Sequence, residues 1–248
     1  MAGKFVMTDG LDGVGKGEVI SAILGYELLQ DRNYFDCTKW WGDLNNQKHD
    51  FNPVPSQISP GSLIVSAEPT FAGIGRRIRA EYIFKNGRDY DPRVIAEAYA
   101  LDRHELYTTT LLPCLERGDD IIQSRGFVTS LVYQMLDSAN RSSLQMTAKE
   151  IMDLPGNKFA LSHMPTVLII PTVHDIDGLM KRLEAREKKD DAIFETVEFQ
   201  RRIKPVYESS WLAEIFTSRG CSVEYIDAGV SVGETRKQAV DIWKKYNI

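Results

Sequence analysis

Two rhythms of apolar and polar positions alternate along the chain. Short runs in which most positions are apolar, "KFVMTD", "SLIVSAEP", "DDIIQS", "TVLIIP" and "SVEYIDA", predict buried strands. Between them apolar residues recur at three- and four-residue spacing. "GEVISAILGYELLQ" predicts a helix straight after the first strand, and "RVIAEAYALDRHELYTTTLLPCLERG" a long one interrupted near Pro113. "DIDGLMKRLEAREKK" and "GETRKQAVDIWKKY" predict further helices. Strands alternating with helices imply an α/β fold, a central parallel sheet flanked by helices. One segment breaks the rhythm. Residues 31–60 have no period and carry aromatics with Asn, Pro and Gly, so they read as a long insertion between the first helix and the second long strand. The 248 residues suit a single domain, residues 1–248.

Composition narrows the function classes. Apolar residues make up 43% and charged residues 26%, as in water-soluble globular chains. A formal charge of -5 argues against a polymeric nucleic acid as partner, which leaves a basic footprint, but allows one anionic ligand in a locally basic pocket. Cys37, Cys114 and Cys221 are few and far apart, which gives neither a disulfide framework nor metal-ligand spacing and suits a reducing cytosol. No apolar run reaches the roughly 18 residues of a membrane span. A first strand within a few residues of the start, with no cleavage-site pattern, adds to the expectation of a cytoplasmic protein without membrane contact.

The chemistry begins in the turn after the first strand. In "TDGLDGVGKGE" the residues Gly10, Gly15 and Lys16 fit the phosphate-binding loop pattern, between a strand and a helix as that motif requires. Backbone N–H groups of a glycine-rich turn wrap an anion, the helix start adds its positive dipole end, and lysine adds a charge. Gly10, Gly13, Val14, Gly15, Lys16, Gly17 and Glu18 are therefore the candidate ATP-binding residues. Position 17 departs from the pattern: the hydroxyl that helps hold magnesium is absent. Asp12 places a carboxylate inside the loop, which suits a partner hydroxyl or cation rather than a phosphate.

With this loop, the segments "AEPTFAGIGRRIR", "AYALDRHELY" and "LERGDDIIQSRGFVTSLVYQ" resemble, in order and spacing, those of thymidylate kinases. The resemblance implies transfer of the ATP γ-phosphoryl group to dTMP with Mg²⁺, on a three-layer P-loop NTPase fold with a mobile lid. It implies that Tyr99 stacks on the base, that Arg103 reaches its carbonyl edge, and that Thr129 and Ser130 lie near it. Tyr133 matches a tyrosine that crowds the sugar 2′ position. Arg125 and Arg79 match grips on the acceptor phosphate. The lid resembles residues 182–196 within "KRLEAREKKDDAIFETVEFQRRIKPVYE", and Arg186, with Arg182 next, is the expected catalytic arginine there. Lys16, Arg125, Arg186 and Asp12 are thus the expected catalytic set, and a homodimer is expected from the family.

Three further positions depart from the family pattern. Ser124 stands in place of aspartate, Gly126 in place of an aromatic or histidine, and Ala67 in place of an arginine before Glu-Pro. With no hydroxyl at 17, Asp12 and Glu68 become the candidate acidic contributors to a magnesium shell, directly or through water. Glu68 is also a candidate substrate contact. The departures leave two alternatives open: a kinase for another deoxynucleotide or deoxynucleoside, and a catalytically weak nucleotide-binding protein.

Overall fold

The structure, a computed structural model, describes residues 2–139, 145–184 and 196–246. Its strands are β1 (Phe5–Thr8), β2 (Tyr34–Asp36), β3 (Leu63–Ala67), β4 (Asp120–Ser124), β5 (Val167–Thr172) and β6 (Ser222–Asp227). They form one sheet in the order β2-β3-β4-β1-β5-β6, parallel at every pairing. Five strands coincide with the apolar runs in the sequence. The sixth, β2, lies in the insertion at the sheet edge and has only three residues, too few for a periodic signal.

Side chains of a strand alternate between faces, and the core divides accordingly. Phe5, Met7, Ile64, Ile121, Leu168 and Ile170 pack into one layer. Val6, Leu63, Val65, Ile122, Val167 and Ile169 pack into the other, against Val19 and Ile23 of helix Lys16–Leu28 and Ala239 and Trp243 of helix Val232–Lys245. Burying each such side chain contributes roughly 1.5–3 kcal/mol relative to leaving it in water. Apolar runs without polar alternation are the signature of strands covered on both faces.

The first layer is crossed by a long helical rod. Pro92–Leu106 continues through a wider π turn, Tyr107–Leu111, into Leu112–Arg117. Proline has no N–H and its ring crowds the carbonyl four residues earlier. The wide turn just before Pro113 takes up that crowding, so the rod continues where the sequence predicts an interruption. Gly118, at φ 97, ends it in the left-handed conformation that glycine adopts without strain.

The insertion is packed down along this rod and the helix Gly73–Arg77. Trp41 is fully buried. Thr110 Oγ1 donates to the Pro53 carbonyl (2.5 Å), the Gly73 N–H donates to Asp50 Oδ1 (2.8 Å), and Arg76 Nη2 donates to the Leu44 carbonyl (3.3 Å). Outside this contact, Trp40 stacks on His49 with centroids 3.8 Å apart.

Register sets the position of the site. Thr8 lies beside Ser124, and Ala67 beside Ser124 on the other side. The carboxyl ends of β1, β3 and β4 are therefore level, and the segments that follow each of them leave from one rim. Ligands of open α/β sheets bind outside such a rim, where the strand order reverses.

Candidate active site

The turn after β1 wraps Lys16. Gly10, Gly13 and Gly15 take φ values of 151, 77 and 109°, conformations that residues with a Cβ rarely adopt. Gly15 leads into the helix Lys16–Leu28, whose first N–H groups have no intrahelical acceptor. Lys16 is buried, and its Nζ donates to the carbonyls of Gly10 (3.0 Å) and Leu11 (2.6 Å). The ammonium thus lies across the loop, where an anion would meet it. At Gly17 an added Cβ meets nothing within 4 Å, so a hydroxyl-bearing side chain has room there. Glu18 points away, pairing with Arg236 of the last helix at 2.7 Å.

Asp12 is the hub of the rim. One carboxylate oxygen, Oδ1, pairs with Arg125. The other accepts from the Tyr133 hydroxyl (3.1 Å) and Gln200 Nε2 (2.9 Å), while the Asp12 N–H donates to Gln200 Oε1 (2.9 Å). Burial opposes its ionisation. The charges of Arg125 and Lys16, with hydrogen bonds from Tyr133 and Arg125, outweigh burial and hold its carboxyl below the usual range. Burial likewise opposes the charge on Arg125, and Asp12 outweighs it, so the guanidinium stays protonated.

Arg125 holds φ 63°, unusual for a side-chain-bearing residue. Its N–H donates to the Thr8 carbonyl (2.8 Å), which ties that turn to the end of β1. A second carboxylate, which the sequence reading missed, supports the same turn. Asp9 accepts from the N–H groups of Gly10 (2.8 Å), Gly126 (3.2 Å) and Thr129 (3.0 Å), from the Thr129 hydroxyl (2.9 Å), and from the Tyr207 hydroxyl (2.8 Å). It lies directly before Gly10, and an acidic residue at that position was the available signal.

Beside this cluster Tyr99, Thr129, Tyr133 and Gln134, with Pro92 and Ile95, line a closed pocket. Its void is about 10 Å³, room for about one water, so a planar ligand enters only by parting the rings. Burial pushes the Tyr99 hydroxyl up to about 12 and the Tyr133 hydroxyl higher, so both rings are neutral. Gln134, also missed from sequence, is buried with Oε1 unpartnered, while its Nε2 donates to Ser130 Oγ (3.3 Å). Arg103 lies behind this wall and is fully buried. Its Nη2 donates to Ser130 Oγ (3.0 Å) and lies 2.6 Å from Glu68 Oε2. Burial raises the Glu68 carboxyl to about 7, against the opposing charge of Arg103. Arg79 lies over the Phe71 ring (3.9 Å) with Nε on the Pro69 carbonyl (2.9 Å).

The predicted residues are thus divided by placement. Lys16, Asp12, Arg125, Thr129 and Tyr133 form one connected group at the rim, and Tyr99 joins it through the pocket. Arg103, Ser130 and Glu68 form a buried layer behind them. Arg182 falls on the helix Ile176–Glu184, and Arg186, like most of the lid assigned to residues 182–196, lies outside the described residues.

Comparison with known proteins gives the family. The family model described as thymidylate kinase matches residues 57–238. A probable thymidylate kinase from Pyrobaculum calidifontis is 30% identical over 180 residues, 73% of this chain and 81% of that protein. The chain belongs to the thymidylate kinase family. A thymidylate kinase from Pediococcus pentosaceus is 25% identical across 98% of this chain and 97% of its own. A solved thymidylate kinase from Candida albicans superposes with a TM-score of 0.64 at 15% identity, covering 99% of this chain and 93% of that one, which shows the P-loop NTPase fold. The chain is accordingly a nucleoside monophosphate kinase that phosphorylates dTMP with ATP as donor. Among the described residues no helix is long and apolar enough to cross a membrane.

Membership makes the departures interpretable. At Gly126 an added Cβ would approach Met7 Cε to 2.5 Å and Sδ to 2.8 Å. The buried Met7 therefore occupies the space that a side chain at position 126 would need. Ser124 keeps its backbone role, accepting from the Glu68 N–H (3.0 Å).

The donor set also tests the expected magnesium. Among the described residues no group of three His, Cys, Asp or Glu forms a metal cage. Both oxygens of Asp9 and of Asp12 already accept hydrogen bonds, and Glu68 is occupied by Arg103 and Gln123 (2.8 Å). Magnesium commonly keeps several waters and is held through substrate phosphates with one or two carboxylates. The residues present fit that arrangement, with Asp12, whose ionised form the Lys16 charge favours, as the loop carboxylate, and they give Glu68 a place in the buried layer.

Proposed function

We propose that dTMP phosphorylation uses the rim as follows. Lys16 and the loop N–H groups hold the donor phosphates. Arg125, whose guanidinium matches phosphate oxygens bidentately, holds the acceptor phosphate with Arg79. Asp12 steers Arg125 and orients the sugar. Tyr99 stacks on thymine, the Gln134 carbonyl accepts the base N3–H, and Arg103 favours its O4 carbonyl. Tyr133 stands beside the sugar and excludes a 2′ hydroxyl. Arg186, in the lid, contacts the migrating phosphoryl group.

Phosphoryl transfer of this kind is positioning and charge neutralisation, and the acceptor phosphate needs no general base. When bound, Mg²⁺ would supply charge neutralisation on the donor phosphates, and Asp12 would be the carboxylate that helps hold it, directly or through water. We also propose a homodimer, and a reducing, cytoplasmic setting in keeping with three free buried cysteines.

The observation that carries this reading is the junction of Lys16, Asp12 and Arg125 beside an aromatic pocket. The test is ATP consumption with a panel of deoxynucleoside monophosphates and nucleosides. We expect turnover with dTMP, and a loss of about 100-fold or more in kcat/KM for Lys16→Ala with unchanged circular dichroism. Wild-type protein that binds ATP but phosphorylates a nucleoside, or nothing, refutes it.

A further inference from the structure

The buried layer behind the pocket holds a side chain that the proposed reaction has not used. Asn157 lies on the helix Pro155–Leu161 and is fully buried. Its carbonyl oxygen accepts from Arg103 Nη1, and its Nδ2 donates to the Ile151 carbonyl (2.7 Å). The second bond settles which end of the amide meets the guanidinium: only the carbonyl can face Arg103.

The helix that carries Asn157 is seated by close contact. At Gly156 an added Cβ would lie 1.7 Å from the Ala100 carbonyl oxygen, so only glycine permits this approach to the helix Pro92–Leu106. Phe159 packs on His104 with centroids 4.7 Å apart. These contacts fix Asn157 at the level of Arg103, one turn beyond Tyr99.

Arg103 is subject to two competing pulls. A guanidinium beside a carboxylate closes readily into a two-point salt bridge. Glu68 offers that partner, since Oε2 lies 2.6 Å from Nη2. Two groups oppose the closure. Gln123 Nε2 occupies the other carboxylate oxygen at 2.8 Å, and Asn157 holds Nη1. Nη2 is then shared with Ser130 Oγ, which also receives Gln134 Nε2 from the pocket wall, and Nε remains unpartnered.

We propose that Asn157 is a positioning residue for acceptor-base selection. It keeps the Arg103 guanidinium spread toward Ser130 and the pocket rather than closed on Glu68. The inference rests on the reading that Arg103 favours a base with a carbonyl at position 4. Uracil-type bases present an acceptor there, whereas cytosine presents an amino donor that a guanidinium repels. With Asn157 removed, Arg103 closes on Glu68 and its Nη2 leaves Ser130 Oγ, the hydroxyl through which it supports Gln134 of the pocket wall. Discrimination falls while the phosphate machinery, on other elements, is untouched.

The experiment measures Kd for dTMP and dCMP by competition, with kcat and KM for dTMP, in wild type, Asn157→Leu, Asn157→Asp and Arg103→Met. Asn157→Leu keeps the volume and removes the acceptor. We expect it to lower the dTMP-over-dCMP preference about tenfold, through a weaker dTMP Kd and higher KM, with kcat within about threefold. Asn157→Asp keeps an acceptor toward Nη1 and should restore most of the preference, which a purely structural role would not produce. Should Asn157→Leu fail to fold, Asn157→Ala beside Asn157→Asp makes the same comparison. Preference lost in Arg103→Met but kept in the Asn157 variant lacking the acceptor overturns the positioning role. Preference kept in Arg103→Met overturns the base-reading role of Arg103 instead, and the inference with it.

Discussion

Gly17 leaves the phosphate loop without its usual hydroxyl, and the space around it is empty: an added Cβ there meets nothing within 4 Å. Its conformation is also not one reserved for glycine, unlike that of Gly15 at φ 109°. Gly17→Ser should therefore fold, with stability raised by a few tenths of a kcal/mol from better helix propensity. Its hydroxyl would restore a direct magnesium ligand, so half-maximal activity should need less Mg²⁺, with saturated kcat within about threefold of wild type. A magnesium titration at fixed ATP checks this, and loss of ATP binding by the variant refutes it. At this scale the sequence was informative wherever chemistry depends on residue type. Lys16, Asp12, Arg125 and Tyr133, singled out from separate segments, lie together in the folded chain. It was silent where the role depends on partners distant along the chain. Asp9 acts through Thr129 and Tyr207, far along the chain, and no local pattern announces such bonds. Tyr133 was read from sequence as a steric wall only, yet its hydroxyl also serves Asp12.

Elements were legible in proportion to their length and period. Five strands, four of them buried and Ser222–Asp227 largely half-buried or exposed at the sheet edge, follow from apolar spacing, as do the helix after the loop and the long rod. The short helices that complete the site do not. Pro155–Leu161 spans only seven residues, and its placement rests on the Gly156 contact with Ala100. The helix Val197–Tyr207 contains Pro205 and begins just after the 182–196 lid read from the sequence. In the folded chain it lies against the site. Gln200 binds Asp12 at both its N–H and its carboxylate, and the Tyr207 hydroxyl donates to Asp9. This helix thus links the residues after the lid to both carboxylates of the phosphate loop. Tyr207→Phe isolates one of the links. Deleting a buried hydrogen bond to a carboxyl costs about 1–3 kcal/mol, so the denaturation midpoint should fall accordingly. Because Asp9 also holds Gly126 and Thr129, the KM for dTMP should rise more than the KM for ATP. Unchanged stability with both constants unchanged would show that the Asp9 hub does not depend on this hydroxyl.

For the molecule as a whole, the carboxylates of the site pull its pH dependence in opposite directions. Asp12 is held below its ordinary value, because Arg125, Lys16 and their hydrogen bonds outweigh burial. Its contribution to stability is present above the unfolded value and is lost as pH falls through the folded one. Glu68 behaves oppositely. Burial raises its carboxyl to about 7, from 4.5 for an exposed glutamate. Asp102 is raised by burial to about 6, opposed by its bonds from Thr70 and by Arg79 and Arg103. A raised carboxyl means that the folded state binds a proton which the unfolded chain has already released. The stability it contributes is complete below the unfolded value and is lost as pH rises through the folded one. Between about pH 5 and 7, then, the buried Glu68 should progressively lower stability, joined by Asp102 up to about pH 6, while Asp12 contributes fully throughout. Glu68→Gln keeps a carbonyl for Arg103 and cannot ionise. Urea midpoints for wild type and Glu68→Gln at pH 5, 6, 7 and 8 separate this effect from every other titrating group. The wild-type curve should drop relative to the variant, with most of the divergence between about pH 5 and 7 and little beyond. The opposite divergence, wild type gaining on the variant as pH rises, would mean that the Arg103 charge outweighs the burial of Glu68 and holds that carboxylate ionised.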